Sequence, residues 1–588
     1  MKKKLLSLFA LLLFAVQCVW AEKKLYAEVN ADGITMFLHY GEVPAGKPYY
    51  SYGKWVVNEN GEENETKFIE KITKVTTSMS CMDYAGSLEY LFSDFKSLKE
   101  ISGLSTLVTE KITDMQFMFA ECNALTSLDF TNCITSNVTD MEYMFFDCYA
   151  LTSLNFSNFN TSNVRDMQFM FGGCTSLTSL DLSSFNTAKV TNMVRMFKGC
   201  SALTSLNLSS FDTGQVFQMN EMFRGCRALT SLDLSSFKTG QVSQMAEMFS
   251  GCSALTSLNL SSFNTASVVT MEEMFKDCSA LTSLDLSSFK TSKVILDVSS
   301  MFWGCSELTT IIVGDGWKES LIMQSFVKRS NTFYNCSKLP GYDGGAIDAS
   351  KAHTGTDGYL TMMLNETDDN SSWISEHLGQ RQRVMLKRTL KAGSYNTFSV
   401  PFYMNAIPEG WTAKELDNAS LADGTLTLNF IAAGASRIEA NRAYLVKVTA
   451  DVVNPTFSDV TISNTTYNIS TVTNVIRFMP TSGMTTLTDA KENILFLAEG
   501  NKLKHPSEAN QRIKGFRGYF LLLGNAAHAS TFSMDFGDGE TTSVNEELRM
   551  KNEESAAAQW YTLDGVRLSG KPSSKGIYIV NGKKIVIK

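Results

Sequence analysis

The sequence has little of what enzymes and nucleic-acid-binding proteins use. Its five histidines are scattered, and neither a phosphate-binding loop nor a nucleophile elbow is present. The cysteines never show the C-x-x-C spacing of a zinc site. The net charge is −8 without any basic run, which argues against nucleic acid as a partner. We therefore expect no enzyme activity, no catalytic residues, no metal site and no cofactor.

Long apolar runs are also missing after the first residues. Residues 1–21 combine three lysines, a short apolar stretch and Val19-Trp20-Ala21, which predicts a signal peptide cleaved after Ala21. Cys18 admits a lipoprotein alternative, although Gln17 fits a lipobox poorly. No later stretch reaches the roughly 18 apolar residues of a membrane helix. We expect an exported chain without a transmembrane span, located at the cell surface or outer membrane or in the extracellular space.

What the sequence does contain is a repeat marked by cysteine. One cysteine recurs every 26 residues, at Cys122, Cys148, Cys174, Cys200, Cys226, Cys252 and Cys278, and Cys305 follows after 27. A fixed period of this length is typical of a solenoid, in which each unit buries its apolar face only against its neighbours.

Each repeat has two halves with different patterns. In the first half, Leu180 and Leu182 alternate with Asp181, which predicts a strand with the leucines inside and the aspartate outside. In the second half, valine, methionine, phenylalanine and cysteine follow at helical spacing, as in Val138, Met141, Phe145 and Cys148. A glycine usually precedes the cysteine, where a helix ends. The pattern predicts a strand and a short helix per repeat.

The repeated cysteines allow two interpretations. One is a buried ladder of small apolar side chains, which is common for free cysteine. The other is a stack of disulfides between neighbouring coils, whose spacing suits a disulfide. Because every coil presents the same cysteine, no partner is preferred, and this favours the ladder.

The repeat phrases resemble a known family. Leu-Thr-Ser-Leu-Asp-Leu-Ser-Ser-Phe, Val-x-x-Met-x-x-Met-Phe and Gly-Cys look like the BspA-like leucine-rich repeat surface proteins of Bacteroidetes and mycoplasmas, over about residues 88–340. The resemblance implies an exported, surface-exposed protein of a family often proposed to adhere to host matrix proteins or other cells. It implies no catalytic residues.

The outward position of each predicted strand forms a first candidate binding surface, which we call the polar strand face. Aspartate and asparagine alternate there, as Asp129, Asn155, Asp181, Asn207, Asp233, Asn259 and Asp285. Alternation separates like charges and lets each amide donate to a carboxylate. The surface is either a device for solubility or a docking surface for glycan or protein.

A second candidate surface, the aromatic column, lies in the predicted helical half. Counting along the repeat puts Phe117, Tyr143 and Phe169 in register, and the degenerate unit Leu88-Glu-Tyr90-Leu-Phe92 before them adds Tyr90. The column then continues with Arg195, Glu221, Glu247 and Glu273. Stacked aromatics on one edge are a candidate interaction patch. The alternative is that an amino-terminal cap folds over them.

The whole chain is predicted to be an α/β leucine-rich-repeat solenoid, an all-β sandwich-like domain and a C-terminal β-hairpin tail. The predicted domains are a signal peptide (1–21), an N-terminal β cap (22–87), the solenoid with its C-terminal cap (88–364), the sandwich-like domain (365–545) and the tail (546–588). The tail carries an Asn581-Gly582 hairpin and resembles C-terminal sorting domains of the type IX secretion pathway.

These patterns favour a binding function. We expect a surface adhesin or protein-interaction module directed at host matrix proteins or other cells. The alternatives are a glycan-binding accessory protein for nutrient capture and a structural component of a surface layer. In the first two cases the partner is an extracellular protein or glycan on host or neighbouring cells.

Overall fold

The computed structural model describes residues 24–41, 50–51, 56–57, 69–77, 86–104, 111–131, 133–294, 296–319, 328, 330–342, 344, 349–434, 437–465, 475–507, 511–539, 541–545, 560–562, 576–580 and 583–587. The predicted signal peptide lies outside them. The chain divides into two compact units, 1–363 and 364–588. Among the described residues, no helix has the length and apolar character needed to cross a membrane.

The first unit begins with a sheet of short strands. The strands of this part of the chain are β1 (Lys24–Val29), β2 (Thr35–Gly41), β3 (Tyr50–Ser51), β4 (Val56–Val57), β5 (Lys74–Thr77), β6 (Gly86–Ser87) and β7 (Glu100–Ser102), with a 3-10 helix at Ile69–Lys71. All of them except β6 belong to the sheet. β1 and β2 form an antiparallel hairpin, as their alternating pattern predicts. The sheet order is β4-β3-β1-β2-β5-β7, and β5 pairs in parallel with β7 in the first coil.

The rest of the first unit is a stack of coils about 26 residues long. Its strands are β8 (Ile112–Asp114), β9 (Ser127–Asp129), β10 (Ser153–Asn155), β11 (Ser179–Leu180), β12 (Ser205–Leu206), β13 (Ser283–Leu286) and β14 (Thr310–Val313), with a 3-10 helix at Ala349–Lys351. Strand β15 (Leu360–Asn365) begins in this unit and ends two residues beyond its boundary. Equivalent strands pair in parallel, as in β9 with β10 and β11 with β12. A second ladder of single bridges runs from Asp114 to Lys328.

The stack is held by one continuous apolar core, which runs from Leu25 to Leu360 and joins the amino-terminal sheet to the coils. Within it, equivalent side chains lie on one another. The rings of Phe171, Phe197 and Phe223 stack at 5.7 Å between successive centroids. Each coil therefore shields the apolar interior of the next, which is why a single repeat could not be stable alone.

The predicted helix in each repeat is wrong. The predicted inward positions Val138, Met141, Phe145 and Cys148 are all fully buried, but the segment is a run of tight turns. In the coil of Cys174, backbone N–H groups alternate between two kinds of acceptor. Phe169 N donates to Val194 O of the next coil at 2.9 Å, whereas Met170 N donates to Met167 O at 3.2 Å. Turns and helices bury side chains at similar spacing, so the burial pattern does not distinguish them.

Two left-handed residues in each coil break any helix. One position holds the aromatic column and its continuation, with φ between 51° and 58° from Tyr90 to Asn331. The other, four residues later, is glycine in five coils, at Gly173, Gly199, Gly225, Gly251 and Gly304, with φ between 75° and 78°. These glycines do adopt the left-handed conformation, but they occupy a turn rather than the end of a helix.

The second unit is mainly β-structure. Its strands are β16 (Arg381–Lys387), β17 (Thr389–Leu390), β18 (Asn396–Phe398), β19 (Phe402–Tyr403), β20 (Trp411–Ala422), β21 (Thr425–Ala432), β22 (Tyr444–Val448), β23 (Val452–Val453), β24 (Thr456–Ile462), β25 (Ile476–Thr481), β26 (Thr485–Thr486), β27 (Ile494–Ala498), β28 (Lys502–Lys504), β29 (Arg512–Ile513), β30 (Arg517–Leu522), β31 (Thr531–Asp535) and β32 (Thr541–Asn545). Helix α1 is Ser371–Glu376, and 3-10 helices lie at Lys491–Asn493 and Gly524–His528.

Two of its sheets share a core. One has the order β18-β22-β20-β21-β31-β32, and the other β25-β30-β27-β28. Phe430 of the first sheet packs edge-on against Phe478 and Phe520 of the second, with centroids 6.3 and 6.2 Å apart. Face-to-face packing of this kind characterises a β-sandwich.

At the carboxyl end, β33 (Trp560–Thr562), β34 (Gly576–Val580) and β35 (Lys583–Ile587) form a three-stranded antiparallel sheet. The pairing of Val580 with Lys583 matches a two-residue link, as predicted. The linking Asn581 and Gly582 lie outside the described residues.

Candidate binding surfaces

All seven side chains of the polar strand face point outward and are exposed. Each is also part of a turn, because its Oδ1 accepts a hydrogen bond from the backbone N–H two residues later, as in Asp181 with Ser183 at 2.9 Å and Asn207 with Ser209 at 3.1 Å. Aspartate and asparagine both supply this acceptor. The position therefore requires an acid or an amide for local folding.

The predicted hydrogen bonding along this face is found at one place. Asn155 Nδ2 donates to Asp129 Oδ1 at 3.1 Å. Elsewhere, the contacts of these side chains in the described coils are the turn bonds to the next serine. Those bonds lower the pKa of Asp181 and Asp233. The alternation keeps carboxylates apart, and the turn explains the choice of residue types.

The aromatic column is a true stack of rings. Successive centroids are 4.7 Å apart for Tyr90 and Phe117, and 4.5 Å apart for both Phe117 with Tyr143 and Tyr143 with Phe169, with interplanar angles of 16°, 8° and 19°. Exposure decreases along the stack, from 48 % for Tyr90 to 9 % for Phe169. The alternative of a covering cap therefore does not hold for Tyr90.

A cation closes the far end of the stack. The Arg195 guanidinium carbon lies 5.0 Å from the centroid of the Phe169 ring. Arg195 Nε also donates to Glu221 Oε1 at 2.6 Å, and Lys198 Nζ and Arg224 Nη1 reach Glu221 Oε2 at 2.6 and 3.0 Å. Burial alone would raise the pKa of Glu221, but the hydrogen bonds and charges of Arg195 and Lys198 lower it to about 2. The column thus passes from rings to a cation to a buried carboxylate.

Carboxylates accompany the first rings on the same edge. We call them the acidic group: Glu89, Asp114, Asp140, Glu142 and Asp166. Asp114, Asp140 and Asp166 occupy equivalent positions joined by bridges, and each accepts a hydrogen bond from the N–H two residues on. Glu142 immediately precedes Tyr143 and accepts a hydrogen bond from Gln168 at 2.6 Å.

The acidic group creates a strongly negative environment. Burial, together with Asp166, Asp114 and Glu89, raises the pKa of Asp140 to about 6, against one opposing backbone hydrogen bond. Burial and then nearby carboxylates likewise raise the pKa values of Glu89, Tyr90 and Glu142. Every charged group that shifts these four pKa values is a carboxylate.

Sequence reasoning missed the acidic group. Its signal was present in the sequence. Each repeat has a valine or isoleucine at the position of Val138, and the residue two positions later is Asp114, Asp140, Asp166, Asn192, Gln218, Gln244 or Thr270. Aspartate stands at this position in the coils of Phe117, Tyr143 and Phe169, the next four described coils have an amide or threonine there, and Asp297 follows in the coil after them. Only the structure shows that the two columns lie on one edge.

These features define a repeat protein built of stacked coils. Residues 86–204, 176–258 and 230–339 match a family described as "Mycoplasma protein of unknown function, DUF285". The repeat segment is therefore similar to that family. No curated protein matches the chain.

Two solved structures show a weak likeness. A leucine-rich cell surface protein from Faecalibacterium prausnitzii A2-165 is 17% identical, with a TM-score of 0.26, over 54% of this chain and 92% of that chain. The TLR13–ssRNA13 complex is 14% identical, with a TM-score of 0.15, over 55% of each chain. At these TM-scores the likenesses carry no argument about fold or function.

Proposed function

We propose that the chain is an exported bacterial surface protein that acts as an adhesin or protein-interaction module, with a binding rather than a catalytic role. The signal-like residues 1–21 and the BspA-like repeat phrases support export and surface exposure. The tail at 546–588 would serve as its sorting or attachment segment. The observation that carries the binding role is the aromatic column, exposed at Tyr90, beside the acidic group.

The backbone of the aromatic column supports this role. Both left-handed positions of a coil disfavour ordinary side chains by about 1–2 kcal/mol per residue. One position takes glycine in five coils, whereas the column position holds a side chain in all ten coils from Tyr90 to Asn331. Glycine at the column position would remove this backbone strain. The presence of a side chain there in every coil therefore indicates that the contacts of that side chain offset the strain.

The polar strand face favours the alternative of a glycan-binding accessory protein. Ser179, Asp181, Ser205 and Asn207 line a shallow depression of about 440 Å³ between two neighbouring coils. Small hydroxyl, amide and carboxylate groups suit hydrogen bonding to sugars. A surface-layer component is the third candidate, in which neither surface has a soluble ligand.

The test is binding of the purified chain to arrays of matrix proteins and glycans. We expect matrix-protein binding that is lost in the double variant Tyr90→Ala/Tyr143→Ala. Tyr149→Ala is a matched control, because Tyr149 is 44 % exposed outside the column. Glycan binding that is lost in Asp181→Ala/Asn207→Ala would support the alternative of a glycan-binding protein. The absence of binding on both arrays would contradict both the adhesin and the glycan-binding hypotheses. Protease shaving of intact cells tests surface exposure.

A further inference from the structure

The two ends of the aromatic column differ in what covers the outermost ring. At one end Arg195 lies over Phe169, and Glu221 neutralises the guanidinium. At the other end the stack begins with Tyr90, which is 48 % exposed. The column thus contains, at its buried end, an internal example of a cation held on its rings.

The surroundings of Tyr90 match the needs of a second cation. The charged groups that raise the pKa of its hydroxyl, after burial, are Glu89, Glu142 and Asp114. A cation over an aromatic face is stabilised by the ring and, more strongly, by nearby carboxylates. At the buried end, the carboxylate of Glu221 pairs with the cation on the ring. At the exposed end, Glu89, Glu142 and Asp114 supply the negative charge that a cation on Tyr90 needs.

We propose that the Tyr90 end of the aromatic column docks a basic polypeptide segment, with one arginine or lysine side chain stacked on Tyr90 and further cations along the acidic group. This deepens the proposed function by naming the class of partner. It rests on the proposed function only for the expectation that the partner is outside the cell. Charge complementarity identifies the occupant, since a basic segment relieves the repulsion among the five carboxylates of the acidic group, which lie beside the rings of the column.

The coil spacing explains why a polypeptide suits this edge better than a single ion. Rings repeat at 4.5–4.7 Å along the column, and Asp114, Asp140 and Asp166 repeat in the same coils. The surface is therefore a strip rather than a pocket. A strip offers several weak charge contacts, which add up only when the cations belong to one chain.

The test measures binding of the full chain to fluorescein-labelled peptides by fluorescence anisotropy at low ionic strength. The probe alternates arginine with alanine, and its controls replace arginine by glutamate or serine. We expect binding of the arginine peptide that weakens by at least about tenfold in Asp140→Asn/Glu142→Gln and in Tyr90→Ala. Addition of salt should weaken binding as well.

Matched variants separate a local site from overall charge. Asp417→Asn/Glu492→Gln removes the same two charges from exposed positions of the second unit, and Tyr149→Ala removes the same aromatic group outside the column. Both should bind the arginine peptide within about twofold of the unchanged chain. Equal weakening in Asp417→Asn/Glu492→Gln, equal binding of the serine peptide, or no effect of Tyr90→Ala would overturn the proposal.

Failure of this inference and failure of the proposed function are distinguishable. A chain that binds a matrix protein independently of Asp140, Glu142 and Tyr90 keeps the proposed function and overturns the basic-segment proposal. A chain that does not bind matrix proteins yet binds the arginine peptide through these three residues has the proposed docking site for a basic segment but not the adhesin role.

Discussion

The Cys148 thiol donates a hydrogen bond to the Phe119 carbonyl oxygen of the preceding coil, with Sγ and O 3.1 Å apart. The same oxygen accepts the N–H of Cys122 at 3.2 Å. Equivalent thiol bonds recur from Cys122 to Cys336. All ten cysteines of the described chain are free and buried, which agrees with the ladder rather than the disulfide stack. The thiol adds a coil-to-coil hydrogen bond inside the apolar core.

Replacing one thiol of this ladder should weaken the stack. Cys200→Ala removes the hydrogen bond to Phe171 O at 3.1 Å and leaves a small cavity, so we expect a loss of about 1–2 kcal/mol in the free energy of unfolding. Urea denaturation measures it. In the unchanged chain, burial raises the pKa of Cys200 to about 12, so alkylation by iodoacetamide should require denaturant. Rapid alkylation of Cys200 in the native chain, located by peptide mass mapping, would contradict the buried ladder.

Asp140→Asn should stabilise the chain at neutral pH. The folded pKa of Asp140, about 6, lies above its ordinary value of 3.8, so the unchanged chain loses stability as pH rises from about 4 to 6. Asparagine keeps the turn, since Asn192 accepts the Val194 N–H at the equivalent position. We expect a gain of about 1 kcal/mol at pH 7.5, less than the full shift implies because the side chain is partly exposed.

Thermal unfolding at several pH values checks this gain. The difference between Asp140→Asn and the unchanged chain should become small at pH 3.5, where the carboxyl is protonated in the folded state and mostly protonated in the unfolded state. Asp181→Asn is the control, because hydrogen bonding lowers the pKa of Asp181 and no gain is expected. A gain of equal size at every pH would show that ionisation of a carboxyl that is partly buried and close to other carboxylates is not the cause.

Glu221→Gln should have the opposite dependence on pH. The Glu221 side chain is 6% exposed and contacts Arg195, Lys198 and Arg224, so its replacement leaves three cations without their shared carboxylate. We expect a loss of about 2 kcal/mol at pH 7, below the cost of breaking a fully buried pair because the cations are partly exposed.

The pH profile of unfolding separates charge from packing at Glu221. Its folded pKa of about 2 lies below the ordinary 4.5, so its stabilisation is present above pH 4.5 and is lost as pH falls towards 2. The difference between Glu221→Gln and the unchanged chain should therefore shrink over that range. A loss that stays constant down to pH 2 would assign the effect to packing.

Substitution of Gly199 tests the left-handed turn. The backbone φ there is +77°, and an added Cβ would meet nothing closer than 3.7 Å. Gly199→Ala should therefore cost about 1–2 kcal/mol through conformation alone. Gly199→Asn should cost less, since Asp147 and Asp277 already adopt this conformation in other coils. Chemical denaturation compares the two variants, and an equal cost would argue against the backbone explanation.

The repeat allowed much of this architecture to be predicted. Counting by 26 places Phe117, Tyr143 and Phe169 in one column, the pattern of the degenerate unit before them adds Tyr90, and the four rings are stacked. The burial of Leu180 and the exposure of Asp181 follow from alternation and are confirmed. The prediction of a helix was wrong because the spacing of apolar residues indicates only which side chains are buried. It does not indicate which acceptors the backbone N–H groups bond to.

The sequence by itself determined the period, the buried set and the register of equivalent residues, because identical coils must place identical side chains alike. The tertiary structure alone decided that Phe169 N donates to the next coil, that column residues adopt left-handed backbone, and that Tyr90 is exposed while Phe169 is buried beside Arg195. These outcomes depend on hydrogen-bond acceptors and charges supplied by neighbouring coils, which no single repeat contains.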